Sequence, residues 1–66
     1  MNSQEAIAAV YQGHMVDCTF EGYKADVRTA LQNQAGKWID DGDNVRAMIA
    51  LEEVKRLDIK FKTVIY

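Results

Sequence analysis

One cysteine, Cys18, and one histidine, His14, are all that 66 residues offer toward a disulfide or a structural zinc site, so apolar packing must hold the fold. A chain this short buries only about 60% of the surface its unfolded form exposes. One small core supplies about 3–5 kcal/mol, and natural domains of this size add cross-links, a metal or a second chain. With the first two removed, self-association is the expected supplement, and a homodimer its simplest form. An apolar fraction of 48% without low-complexity tracts places residues 1–66 in one folded domain.

Eight Lys/Arg against ten Asp/Glu give a net charge of −2, which does not favour indiscriminate binding to nucleic acid or to anionic membrane. The longest apolar run falls far short of the roughly 20 residues that cross a bilayer, and the N-terminus lacks a basic-then-apolar leader pattern. A cytoplasmic protein with no membrane partner is the expectation.

Asn2 to Gln12 reads as a helix: Ile7, Val10 and Tyr11 fall at i, i+3 and i+4, Asn2 or Ser3 can cap, and Glu5 suits the positive end. Gly13 stops it. Val16, Cys18 and Phe20 then alternate with Asp17 and Thr19, the period of a half-buried strand. Residues 21–31 fit two periods. As a strand after a Glu21-Gly22 turn, Tyr23, Ala25 and Val27 oppose Phe20, Cys18 and Val16 in a hairpin with one apolar face. As a helix, Tyr23, Val27, Ala30 and Leu31 form a stripe that runs on to Trp38. The hairpin is favoured because Lys24 suits a helix N-terminus poorly, although it sets Asp17 against Asp26.

Ala30 to Ile39 reads as a short helix in which Gly36 is costly or terminal. Asp40 to Asn44 is turn chemistry, and Asp41 or Asp43 can cap the next helix. That helix, from about Asn44 to Leu57, puts Ala47, Ala50, Leu51, Val54 and Leu57 on one face. Ile59, Phe61, Thr63 and Ile65 alternate with Lys60, Lys62, Val64 and Tyr66 as a last strand. The expected fold is α+β, a small antiparallel sheet with helices on one face in the order α-β-β-α-α-β, with α-β-α-α-β as the fallback. Its open edges would let two copies pair strands.

No catalytic constellation emerges, and the expectation is a non-enzymatic protein without cofactor. Ser3 reads as a cap, Cys18 as a small buried hydrophobe, and His14 lies about 13 Å along the strand from Cys18, beyond dyad reach. Asp40, Asp41 and Asp43 lack the ligand alternation of a calcium loop, so no metal is expected. Glu52 and Glu53 point apart on a helix. The same aspartates crowd the helix end that a helix-turn-helix would present to DNA.

Two charged surfaces are left. Asp40, Asp41, Asp43, Glu52 and Glu53, near Trp38 and Met48, form an expected contact for a basic protein partner, with Trp38 also suited to the centre of the core. On the outer sheet face, Lys24, Arg28, Lys60 and Lys62 form the alternative, a nucleic-acid or nucleotide surface, or a solvated face that keeps the sheet apart from its neighbours.

The run Gln4-Glu5-Ala6-Ile7-Ala8-Ala9-Val10-Tyr11-Gln12-Gly13-His14-Met15-Val16 resembles the start of small phage and prophage proteins, in which a short helix ends at Gly and runs into a strand. The resemblance implies a protein-binding accessory or anti-defence inhibitor that occupies a surface of a larger host or viral protein. A structural subunit of an assembly is the further alternative.

Overall fold

Asn2 opens the first helix by a reciprocal pair of bonds: its side chain accepts from the Glu5 amide at 2.9 Å, and Glu5 accepts from the Asn2 amide at 3.3 Å. The cap is therefore Asn2, and Ser3 is the first helical residue. This helix, α1 (Ser3–Tyr11), ends at Gly13, whose φ of 77° lets its amide reach Val10 O while the His14 amide reaches Ala9 O. The two bonds satisfy the last carbonyls in the Schellman arrangement that favours glycine. The structure, a computed structural model, describes residues 1–61.

Residues 20–40 form one continuous helix, α2: an α-turn over Phe20–Gly22, a π-helical turn over Tyr23–Val27, and a regular α-helix over Arg28–Asp40. Thr19 caps it by accepting from the Gly22 amide at 3.1 Å. The buried stripe is Tyr23, Val27, Leu31, Ala35 and Trp38. Three successive four-residue spacings outrun a 3.6-residue turn by about 40° each. A wider turn at the first of them offsets the drift and keeps Tyr23 over the same interior as Leu31.

The second glycine stop repeats the first. Gly42, φ 83°, bonds to Ile39 O, and the Asp43 amide to Trp38 O at 2.7 Å. Asp43 then caps α3 (Asn44–Phe61), accepting from the Arg46 amide at 3.2 Å. The three helices enclose a core rich in small residues, with Ala6 and Ala9 from α1, Ala35 from α2, and Ala47 and Ala50 from α3 around Val10, Tyr23, Leu31, Val54 and Leu57. Alanines let helices approach closely but bury little apolar surface, so the core gains little from each of them.

The α+β expectation is overturned in both of its orders, because no strand occurs among the described residues. Residues 23–29 are helical, and their partners lie on α3 rather than on residues 16–20. The helix begins at Thr19, so Lys24 sits beyond its first turn, where the dipole penalty that favoured the hairpin has faded. Gly36 does not end α2, which continues to Asp40. The C-terminal strand fails where it can be seen: Ile59 and Phe61 belong to α3, and the rest of it lies outside the described residues. Dimerisation by pairing strand edges falls with the sheet. The turn and cap positions Gly13, Gly42 and Asp43 are where the sequence puts them.

Candidate interaction surfaces

Two buried carboxylates on α3 organise the interior. Residues 14–19 cross from α1 to α2 without regular secondary structure, with Val16 and Cys18 buried and Asp17 exposed. The Val16 amide donates to Glu53 Oε1 at 2.7 Å, and Arg56 Nη2 donates to the Val16 carbonyl at the same distance. Arg56 Nε closes the set on Glu53 Oε2 at 2.6 Å. Two side chains thus do for Val16 what a neighbouring strand would, satisfying both of its backbone groups. Burial raises the Glu53 carboxyl, but the hydrogen bonds from Arg56 and the Val16 amide outweigh it and hold the group below its ordinary range.

The second carboxylate, Asp58, anchors α2. It accepts from the Tyr23 hydroxyl at 2.5 Å and from Arg28 Nε at 2.9 Å, while the same hydroxyl lies 2.9 Å from Val54 O. Burial and then the hydrogen bond to Asp58 push the Tyr23 hydroxyl well above the usual phenol range, so Tyr23 is a donor and not an acid. These groups mutually satisfy one another, so they fix geometry.

The sequence-derived acidic surface divides. Glu53 is buried in the Val16 staple and faces no partner. Asp43 is engaged by Arg46, whose Nη1 lies 2.5 Å from Oδ2 and holds the carboxyl below the usual carboxylate range. Asp40, Asp41 and Glu52 are exposed. The expected basic surface divides as well. Arg28 is committed to Asp58, and Lys62 lies outside the described residues. Lys24 and Lys60 remain, each over an aromatic ring: Lys24 Nζ stands 5.7 Å from the Phe20 centroid and Lys60 Nζ 5.2 Å from that of Phe61, with the two rings 5.7 Å apart.

Trp38 and Met48 separate: Trp38 is buried in the core while Met48 is on the surface. The nucleophile candidates do not assemble. Cys18 is buried and its thiol is raised by that burial, Ser3 is in the first turn of α1, and His14 is exposed beyond Gly13. Among the described residues no three His, Cys, Asp or Glu side chains are placed to hold a metal ion. No helix among them is long and apolar enough to cross a membrane.

The feature that sequence reading missed is the outward face of α3. Val45, Met48, Leu51 and Ile59 are 70%, 61%, 45% and 62% exposed, with Glu52 and Lys55 between them. Leu51 was expected in the core and is not there. The signal was available: positions 45, 48, 52, 55 and 59 alternate steps of three and four, the spacing of a helix–helix seam. At the N-terminal end of this face a shallow cleft of about 310 Å³ lies between α1 and α3, where Arg46 stacks 4.1 Å over the Tyr11 ring. No known protein family, curated protein or solved structure matches this chain.

Proposed function

We propose that this chain is a non-enzymatic protein-binding module and that the outward face of α3 is its docking element. The observation that carries this is the exposure of four large apolar side chains on one 18-residue helix. Scattered single apolar residues on a surface are ordinary, but aligned ones are the mark of a contact. The docking mode is that of an amphipathic helix, with Val45, Met48, Leu51 and Ile59 as anchors and charge at Glu52 and Lys55 setting direction. The exposed carboxylates Asp40 and Asp41 lie just before α3 and extend the contact toward a basic partner. Tagged wild-type chain and a Met48→Glu/Leu51→Glu variant, incubated with extract of the native host, test this directly. Proteins retained by the wild type and lost by the variant are the expected result; identical retention by both, with helicity preserved, removes the proposal.

The Lys24–Phe20 and Lys60–Phe61 pairs favour a second reading, in which single-stranded nucleic acid stacks on an aromatic ring between two cations. Replacing both lysines with Glu should then abolish retention on single-stranded oligonucleotides at low salt. No retention of the wild-type chain under those conditions ends that reading.

A further inference from the structure

We infer that the occupant of the outward face of α3 is a second copy of α3, packed antiparallel across a two-fold axis between residues 53 and 54. This deepens the docking proposal and rests on it. Val45, Met48, Glu52, Lys55 and Ile59 are spaced three, four, three and four residues apart, so they form one straight seam on a slightly underwound helix. The seam is exposed along its length. What a seam accepts is decided by its charges.

In a parallel pair, like positions face one another, and Glu52 would meet the partner's Glu52 and Lys55 the partner's Lys55. Both contacts repel. In an antiparallel pair the two kinds of seam position interleave. With the axis between residues 53 and 54, Glu52 lies against the partner's Lys55, and by symmetry Lys55 lies against the partner's Glu52. That same register sets Met48 against the partner's Ile59 and Ile59 against the partner's Met48, so the apolar layers flank the charged ones. Shifting either helix by one turn puts a charge against methionine or isoleucine. Leu51, beside the seam, covers the ion pairs from the side. A self-complementary patch of this kind closes as a dimer and does not propagate.

The remainder of the molecule gives this contact its purpose. The core takes an alanine at five positions, Ala6, Ala9, Ala35, Ala47 and Ala50, and one cysteine and one histidine supply no cross-link or zinc site. Burying Met48, Leu51 and Ile59 of each chain supplies what small domains take from staples. The seam from Met48 to Ile59 runs about 16 Å, so the interface is at the small end of specific contacts and the dissociation constant is expected in the micromolar range.

Sedimentation velocity on the purified full chain, from about 5 to about 500 micromolar, tests the inference. A concentration-dependent monomer–dimer equilibrium is expected for the wild type. Glu52→Lys and Lys55→Glu should each weaken self-association at least about tenfold, since each places like charges in both central layers. The Glu52→Lys/Lys55→Glu double variant should dimerise as the wild type does. Mixing the two single variants should give a heterodimer, which no pairing within one helix can produce. Helicity by circular dichroism checks that each chain is folded. A wild type monomeric at about 500 micromolar, single reversals without effect, or single variants that fail to pair when mixed each overturn the inference. In the first case, the docking proposal is judged separately: Met48→Glu/Leu51→Glu still abolishing retention of another protein would assign the face to a different partner, and identical retention would remove both.

Discussion

Each face of α3 carries residues usually found on the other. Toward the interior it presents two buried carboxylates, Glu53 and Asp58, among Ala47, Ala50, Val54 and Leu57; toward solvent it presents Val45, Met48, Leu51 and Ile59. Glu52 and Glu53 are neighbours in the chain, yet one is in water and the other holds the backbone of residue 16. The difference shows that apolar burial alone does not set the orientation of this helix. A connector with no strand beside it and a tyrosine hydroxyl turned inward both require acceptors inside, and α3 is the element that supplies them. Glu53 and Asp58 share the inward arc with Ala47, Ala50, Val54 and Leu57, and four further large apolar residues stand on the outward arc.

The comparison breaks most directly at Glu53. Glu53→Leu leaves the Val16 amide without an acceptor and Arg56 without its carboxylate, and should cost about 2–3 kcal/mol, moderated by the partial exposure of Arg56. Glu52→Leu, one residue away, should change monomer stability by less than about 0.5 kcal/mol. Urea unfolding of the two variants at low micromolar concentration gives both values, and equal losses would erase the distinction between the faces. The same carboxyl sets a pH dependence. Its folded pKa lies below its unfolded value, so its contribution is fully present above the unfolded value of about 4.3 and is lost as pH falls through the folded one. Between about pH 5 and pH 3 the wild type should therefore lose stability more steeply than Glu53→Gln.

Tyr23→Phe probes the other interior acceptor. It removes one of the donors to Asp58 Oδ1, which also accepts from Arg28, while leaving the ring packed 5.5 Å from Phe61, and should cost about 1–2 kcal/mol with the helical content unchanged. A larger loss would mean that the π-turn collapses without this bond. No change at all would mean that the Tyr23 hydroxyl adds nothing to the hold on Asp58.

Much of the punctuation was legible in the sequence, and much of the pairing was not. Gly13 and Gly42 mark helix ends because only glycine adopts positive φ without strain, and Asp43 caps for reasons local to its own turn. These features depend on three or four consecutive residues. The alternation read over Val16, Cys18 and Phe20 holds for the first two, which are buried around an exposed Asp17, and fails at Phe20, which is exposed. Alternation reports which side chains face inward, however, and says nothing about what satisfies the backbone between them. Here that task falls to Glu53 and Arg56, 37 and 40 residues away. The hairpin was favoured because residues 16–20 and 23–27 complete each other locally, whereas the α2 stripe needs α3 before its burial has any meaning. Thr19 ahead of Glu21 and Gly22 carries the missing sign, a cap two residues before the stretch that fits both periods. On the surface, the five expected acidic residues included Asp40, Asp41 and Glu52, which are exposed, along with Glu53, which is not. Adjacent carboxylates on a helix cannot be sorted into inside and outside without knowing which arc is covered.

Gly36 offers a comparison on a helix face with no competing contacts. Nothing lies within 4 Å of a Cβ placed there, and the residue is in the interior of α2. Gly36→Ala should stabilise the chain by about 0.5–1 kcal/mol, read as a raised urea midpoint at unchanged slope. That solvent face of α2 would then be free of any constraint beyond helix formation, in contrast with the outward face of α3.

The smallest expected change is the most discriminating for α3. Met48→Glu puts a charge on a side chain already 61% exposed, with glutamate as good a helix former as methionine. At about 2 micromolar, where a weak dimer has dissociated, its unfolding free energy should match the wild type within about 0.5 kcal/mol. At concentrations about a hundredfold higher the wild-type midpoint should rise while that of the variant stays fixed, because mass action stabilises only a chain that associates in its folded form. A variant that is destabilised at both concentrations would place Met48 in the fold itself, and the outward face would then be part of the core's support and not a surface held ready for contact.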